Sequence, residues 1–319
     1  MTILFKYMSN KRNIFSDGFI RLTQLSALND PFEATFSYGG LEKLTQHIND
    51  DLIDKPRFEH NHIKYVNENK YKIGVISFSE SKDNLLMWAH YADEHKGLLA
   101  GIYYDELNRF ESNIFQSLFT SDFIDSQSLH MDLFYKGVMQ KVNYRKTHRY
   151  TNDIFDNDYS NISLEGSERI LYEIFLGKSD EWIYEKEHRI ILRLEQSDRV
   201  IIHDSDFLIK MPQFQSLVDP GFITKGENSE NFIIDLYKID DEFSRSNLAK
   251  KLLPYASDPK TIFMMKLDKR SIFQCVLGLK TTYNKDNILD DYGFNIDIYQ
   301  ACLSSNKYEL DFKDVYTRY

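Results

Sequence analysis

Residues 182–194 read WIYEKEHRIILRL. Two carboxylates, Glu185 and Glu187, stand one residue apart at the entrance of an apolar run, Arg189 to Leu194, that has the composition of a strand. Carboxylates in such a place can stabilise positive charge as it develops in a reaction, or move a proton as a general base. Asp180, Glu181, Glu185 and Glu187, with Lys178, can instead be read as a Mg²⁺ and phosphate site of a metal-dependent nuclease. The plain alternative is a solvated strand entrance in which the two acids pair with Lys186 and Arg189. Two further pieces precede them in the chain. Arg21 lies in the strand-like stretch GFIRLT, and Ser77 and Ser79 close another, GVISFSES.

Other familiar chemistry is missing. There is no glycine-rich phosphate loop, no His-Glu-x-x-His and no Gly-x-Ser-x-Gly. His90 and Glu94 are four apart and His95 follows, a poor match to zinc-ligand spacing, and no metal is expected. Cys275 and Cys302 are the cysteines present, so the sequence is read as having neither a disulfide framework nor a cysteine-based zinc site.

The elements that must hold these residues are legible in part. ILFKYMS and Phe19–Leu22 read as strands, and Asn29-Asp30-Pro31-Phe32-Glu33 as a turn. Residues 41–70 read as helical with a break near Pro56, and Tyr71–Ser79 as a strand. Asp83-Asn84 is placed to cap a helix through Ala92, with Gly97 ending it before the strand LLAGIYYD. Between Asn108 and Asn161 the pattern blurs, apart from a strand around 138–144. Ser167 is placed to cap a short helix that Gly177 stops. RIILRL and RVIIH, flanking Glu195–Asp198, read as a β-hairpin, and a second hairpin is expected at 295–316 after the strand TIFMMKL. Strands and helices do not alternate. The expected fold is therefore α+β, with a mixed, mainly antiparallel sheet and helical insertions. We expect one domain over 1–319, with insertions at about 41–70 and 105–165.

The 319 residues, 42% hydrophobic and 28% charged, have the balance of a folded protein with a sizeable core. A net charge of −10 argues against a surface coated for non-specific nucleic-acid binding. No apolar window approaches a membrane span, and the N-terminal MTILFKYMSNKRN does not read as a secretory signal. A cytoplasmic protein with no membrane partner is expected.

The order Arg21, Ser77-x-Ser79, Glu185-x-Glu187 resembles the arginine–serine–glutamate pattern of the ADP-ribosyltransferase superfamily. That resemblance implies an ADP-ribosyltransferase-like fold that consumes NAD as substrate. Arg21 would hold the NAD phosphates, and Ser77 and Ser79 would shape the nicotinamide pocket. Glu187 would be the catalytic carboxylate, and Glu185 would orient or deprotonate the acceptor. A second resemblance lies in LSALNDPFE, ISFSES, NLLMWAHYADEHKG and KSDEWIYEKEHRI, which are similar to the bacterial family catalogued as domain of unknown function 2971. It nominates Asn29, Asp30, Phe32, Ser77, Trp88, His90, Tyr91, His95, Lys96, Trp182, Glu185, Glu187 and Arg189, to which Tyr7 on the first strand is added. The family's occurrence among bacterial accessory and defence genes implies a toxin-like or antiphage effector, with a toxin–antitoxin or defence partner. Its acceptor would be a protein or nucleic acid. A non-catalytic sensor or partner-binding module, with the aromatic-rich 105–165 region as contact surface, is the third reading. The transferase reading requires Arg21, Ser77 and Glu187 to line one cleft, bordered by Trp88–Lys96.

Overall fold

Apolar alternation on both faces builds the centre of the molecule. In the strand Ile73–Ser79, Ile73 and Val75 join one apolar cluster while Ile76 and Phe78 join another, so the strand is covered above and below. The computed structural model describes residues 2–11, 14–50, 61–104, 118–119, 134–148, 164–226 and 230–318.

Within these residues the strands are β1 (Thr2–Met8), β2 (Phe19–Gln24), β3 (Ile73–Ser79), β4 (Leu98–Tyr104) and β5 (Met139–Lys141). There follow β6 (Asn143–Arg145), β7 (Gly177–Ser179), β8 (Glu187–Arg193), β9 (Arg199–His203) and β10 (Ile223–Lys225). The last are β11 (Asn231–Asp235), β12 (Ile262–Lys266), β13 (Ile272–Leu277), β14 (Asp297–Leu303) and β15 (Leu310–Tyr316). Thirteen of them form one sheet, in the order β10-β11-β9-β12-β2-β3-β1-β4-β13-β14-β15, with β8 and β5 attached beside β3. Pairing is antiparallel except β13 with β14 and, in a separate two-stranded ribbon, β6 with β7. The fold is α+β, as the sequence leads one to expect.

Helices cover both faces. Tyr38–Asp50, His62–Asn69 and Leu164–Ile174 bury Leu41, Leu44, Val66, Ile170 and Leu171 over β3 and β8. The helices Glu242–Leu252 and Lys285–Tyr292 bury Leu252 and Ile288 in the cluster on the opposite face. No helix among the described residues is long and apolar enough to cross a membrane.

The feature that positions the site is a fork beside β3. One edge of β3 pairs with β8 along its length, from Ile73–Arg193 to Ser79–Glu187. The other edge is shared: β2 takes Gly74 and Val75, β1 takes Ser79, and Ile76–Phe78 pair with neither. The two strands splay apart there and leave a gap in the sheet.

Several expectations are corrected. RIILRL and RVIIH do not form a hairpin: β8 lies between β3 and β5, and β9 between β11 and β12. The polar stretch between them is an interior anchor, since Asp198 is fully buried, ion-pairs with Arg245 and accepts from the Lys266 amide. Ser167 caps nothing; it is buried inside its helix and bonds His62 Nδ1 at 2.7 Å. That helix stops at Ile174, and Gly177 opens β7. The helix capped by Asn84 ends at Tyr91, because Asp93, Glu94 and His95 follow in left-handed conformations (φ 49°, 54° and 72°). Gly97 serves the packing that comes next: a Cβ there would fall 2.1 Å from the Met8 carbonyl oxygen. The break near Pro56 and most of 105–165 lie outside the described residues. The hairpin of β14 and β15 extends the large sheet.

Candidate active site

Glu185 and Glu187 do not stand in solvent; they are 3% and 4% exposed. Glu185 ends a 3₁₀ turn, Asp180–Glu185, and Glu187 begins β8. Lys186 between them is left-handed (φ 46°, ψ 49°) and exposed. A non-glycine residue in that conformation costs roughly 1–3 kcal/mol, so the surroundings must enforce it. They do so through bonds from the Lys186 amide to Ile183 O and from the Glu80 amide to Lys186 O. The kink turns the Lys186 side chain outward and brings both carboxylates onto one ammonium. Lys178 Nζ, from β7, lies 2.5 Å from Glu185 Oε2 and 3.0 Å from Glu187 Oε2.

A second cation completes the cluster. Arg189, 1% exposed, grips Glu187 through Nε and one terminal nitrogen (2.7 and 3.0 Å). Its far edge grips Glu33 (2.7 and 2.5 Å) and donates to the Phe175 carbonyl (2.6 Å). Tyr91 donates to Glu185 Oε1 at 2.6 Å and is itself bonded by the Asn29 side chain. Tyr144 of β6 accepts from the Glu187 amide, and Ser79 Oγ donates to the Glu185 carbonyl.

The two acids are pushed in opposite directions. For Glu187, burial favours the neutral acid, but Arg189 and then Lys178 outweigh it and hold the carboxyl well below the usual range. For Glu185, burial raises the pKa, Lys178 opposes and the charge of Glu187 adds to the rise. The signs for stability follow. Glu187, depressed in the fold, contributes stability that is complete above its unfolded-state value of about 4.3 and is lost as pH falls below it. Glu185, raised in the fold, weakens stability at pH above its folded value, and that penalty disappears as pH drops. Urea midpoints measured from pH 8 to 3 are therefore expected to fall steeply at the acid end. Glu187→Gln should flatten that acid limb, and Glu185→Gln should flatten the upper one. An unchanged acid limb in Glu187→Gln would contradict the pairing.

The cluster walls a cavity of about 420 Å³ that passes through the fork. Of the sequence-nominated residues, Tyr7, Arg21, Asn29, Asp30, Ser77, Ser79, His90, Tyr91, Glu185, Glu187 and Arg189 line it. Ser77 also hydrogen-bonds Glu187, and Asp30 presents a buried Oδ2 without a hydrogen-bond partner among the described residues. His95, Lys96 and Trp182 are not on this wall. The left-handed run carries His95 away to stack on Trp88, where its carbonyl accepts from the Lys280 amide. Lys96 is exposed and pairs with Glu94, while the Trp182 ring lies 5.1 Å from Lys178 Nζ. Phe32 is exposed and Trp88 is core.

The nuclease set is divided. Asp180 and Glu181 line a neighbouring cavity of about 460 Å³, and Lys178 is common to the walls of both. Among the described residues no group of three or more His, Cys, Asp or Glu is placed to hold a metal ion. Sequence reading missed Glu33 and Tyr144, which sit in a turn and a faint strand, and Lys6, an unremarked lysine on β1.

Fold and site together define an α+β protein with a buried carboxylate–cation cluster at a sheet fork. Over residues 87–190, roughly a third of the chain, the sequence matches the family model described as protein of unknown function (DUF2971). That stretch carries Tyr91, Lys178, Glu185, Glu187 and Arg189, whereas Lys6, Arg21, Glu33 and Ser77 lie outside it. No curated protein and no solved structure matches the chain.

Proposed function

We propose that the cavity cleaves the glycosidic bond of a nucleotide, with NAD as the substrate and either water or a macromolecule as acceptor of the ADP-ribose. The observation that carries this reading is the pair of carboxylates on one ammonium, with acidities driven apart, in a cavity that Arg21 and Lys6 also line. Two acids whose environments push their acidities apart are the equipment of glycosidic chemistry. The bond from the ribose C1′ to nicotinamide breaks with its electron pair leaving on the ring nitrogen. The ionised Glu187 stabilises the oxocarbenium charge left behind. The acceptor oxygen then adds to C1′, and its proton passes to Glu185, a base whose raised pKa suits it to take one. Asp30 Oδ2, without a partner among the described residues, is free to accept from a ribose hydroxyl. A nuclease reading lacks this support, because an ammonium lies between Glu185 and Glu187 and the other two acids face a different cavity.

An enzyme that drains NAD would be toxic to the cell that makes it, which accords with an effector role. The test incubates purified protein with NAD, with and without cell extract, and separately with nucleic acid, each in Mg²⁺ and in chelator. Nicotinamide release and ADP-ribose incorporation are followed. Release that Glu187→Gln abolishes is the expected result. If NAD is untouched under every condition while nucleic acid is cut in a Mg²⁺- and Glu187-dependent way, the nuclease takes its place.

A further inference from the structure

Lys6 is a cation in the cavity that the carboxylate cluster does not use. It belongs to β1, on one side of the fork, and its Nζ donates to the Ser77 carbonyl at 3.0 Å, in the segment of β3 that neither β1 nor β2 pairs. Nζ also lies 6.0 Å from the centre of the Phe78 ring. Among the described residues it makes no ion pair, although Lys178 and Arg189 in the same cavity each hold two carboxylates closely. Arg21 faces it from β2, across the fork, so two cations converge where the sheet is open.

A half-buried ammonium with a carbonyl as its hydrogen-bond acceptor has lost much of its hydration without gaining a counter-ion. An anion seated in the fork would supply that counter-ion and relieve the repulsion between Lys6 and Arg21. We propose that Lys6 is the principal anchor of an anion subsite at the fork, which takes the diphosphate of the nucleotide substrate. The subsite rests on the nucleotide reading given above for the substrate's identity, but anion binding can be measured without turnover.

The ammonium already shows the missing counter-charge. Burial lowers the Lys6 pKa to about 8; the charge of Glu187 works against that fall and the charge of Arg21 adds to it. The charges that bear most on Nζ are Glu187 from β8 and Arg21 from β2, and Asp30, Glu33, Lys178, Glu185, Arg189 and His90 line the same cavity. Carboxylates and guanidinium groups ordinarily titrate far from pH 8. A bound anion favours the ammonium, so affinity should hold below pH 8 and decline above it.

ADP-ribose is the probe, because its diphosphate keeps a constant charge from pH 7 to 9, and adenosine is the uncharged control. Calorimetric titration should give ADP-ribose binding that Lys6→Met weakens roughly 10–100-fold, the scale of one charge-assisted bond. Adenosine affinity should stay within about twofold. Lys6→Arg should restore binding and remove its decline between pH 7 and 9. Circular dichroism of each variant separates lost folding from lost binding. Binding of ADP-ribose by Lys6→Met as tightly as by the wild type, or a Lys6→Arg profile that still declines, would overturn the subsite. So would a wild type that binds no ADP-ribose at all. ADP-ribose binding that depends on Lys6, in a protein that never consumes NAD, would leave the subsite standing and remove the glycosidic reading.

Discussion

Glu187→Gln is expected to lower NAD turnover roughly 10²–10³-fold while NAD affinity stays within a few-fold. Gln keeps the size of the side chain and a carbonyl that can accept from Arg189, but it removes the charge that, on the proposed reading, would meet the oxocarbenium ion. Because Glu187 also belongs to the buried cluster, turnover alone does not separate chemistry from folding. Glu33→Gln supplies the comparison, since it weakens the same guanidinium from the opposite edge. The two variants should lose similar thermal stability, with turnover falling sharply only in Glu187→Gln. Equal losses of turnover would make Glu187 a scaffold residue. Glu185→Gln should impair transfer to an acceptor more than NAD hydrolysis if, as proposed, it acts on the nucleophile.

Arg189→Met should bring a large loss of stability, about 3–5 kcal/mol. Met fills much of the volume, but it strands Glu33 and Glu187 as buried carboxylates facing each other. Their protonation can relieve part of that cost, so the variant should be relatively more stable at pH 5 than at pH 8, opposite in slope to the wild-type acid limb. Adding Glu33→Gln and Glu187→Gln should restore more stability than the single effects sum to, since the charges left unpaired are then gone. Urea denaturation decides it. A loss under about 1 kcal/mol for Arg189→Met would mean that the cluster is not desolvated as its burial implies.

The strands were legible where apolar periodicity is strong. β1, β3, β8 and β12 follow from runs such as GVISFS and RIILRL, whose residues are buried on one or both faces. Pairing was not legible. RIILRL and RVIIH have the local pattern of a hairpin, yet β8 was recruited by β3, more than a hundred residues earlier in the chain, and β9 by β11 and β12. The same limit governs the site. Glu-x-Glu could be seen because two acids before an apolar run are conspicuous. Glu33 could not, since NDPFE reads as a turn whichever way its last carboxylate points. Lys178 was visible as a nearby cation, but its place between the acids depends on the left-handed Lys186, a conformation that lysine does not advertise.

Charge parity gives the cluster a further property. Glu33, Glu187 and Glu185 bring three negative charges to a run of direct contacts in which Arg189 and Lys178 supply two positive ones. Lys6, which faces Glu187 without an ion pair among the described residues, stands outside that run. Within it the tally is odd, and the terminal acid, Glu185, whose pKa is raised, is where a proton can settle it. The nicotinamide ring of NAD is itself a cation. Its arrival would make the tally even and displace that proton, and its departure as a neutral base would make the tally odd again. Substrate binding would then release a proton, measurable as a dependence of the calorimetric enthalpy on the buffer's own ionisation heat.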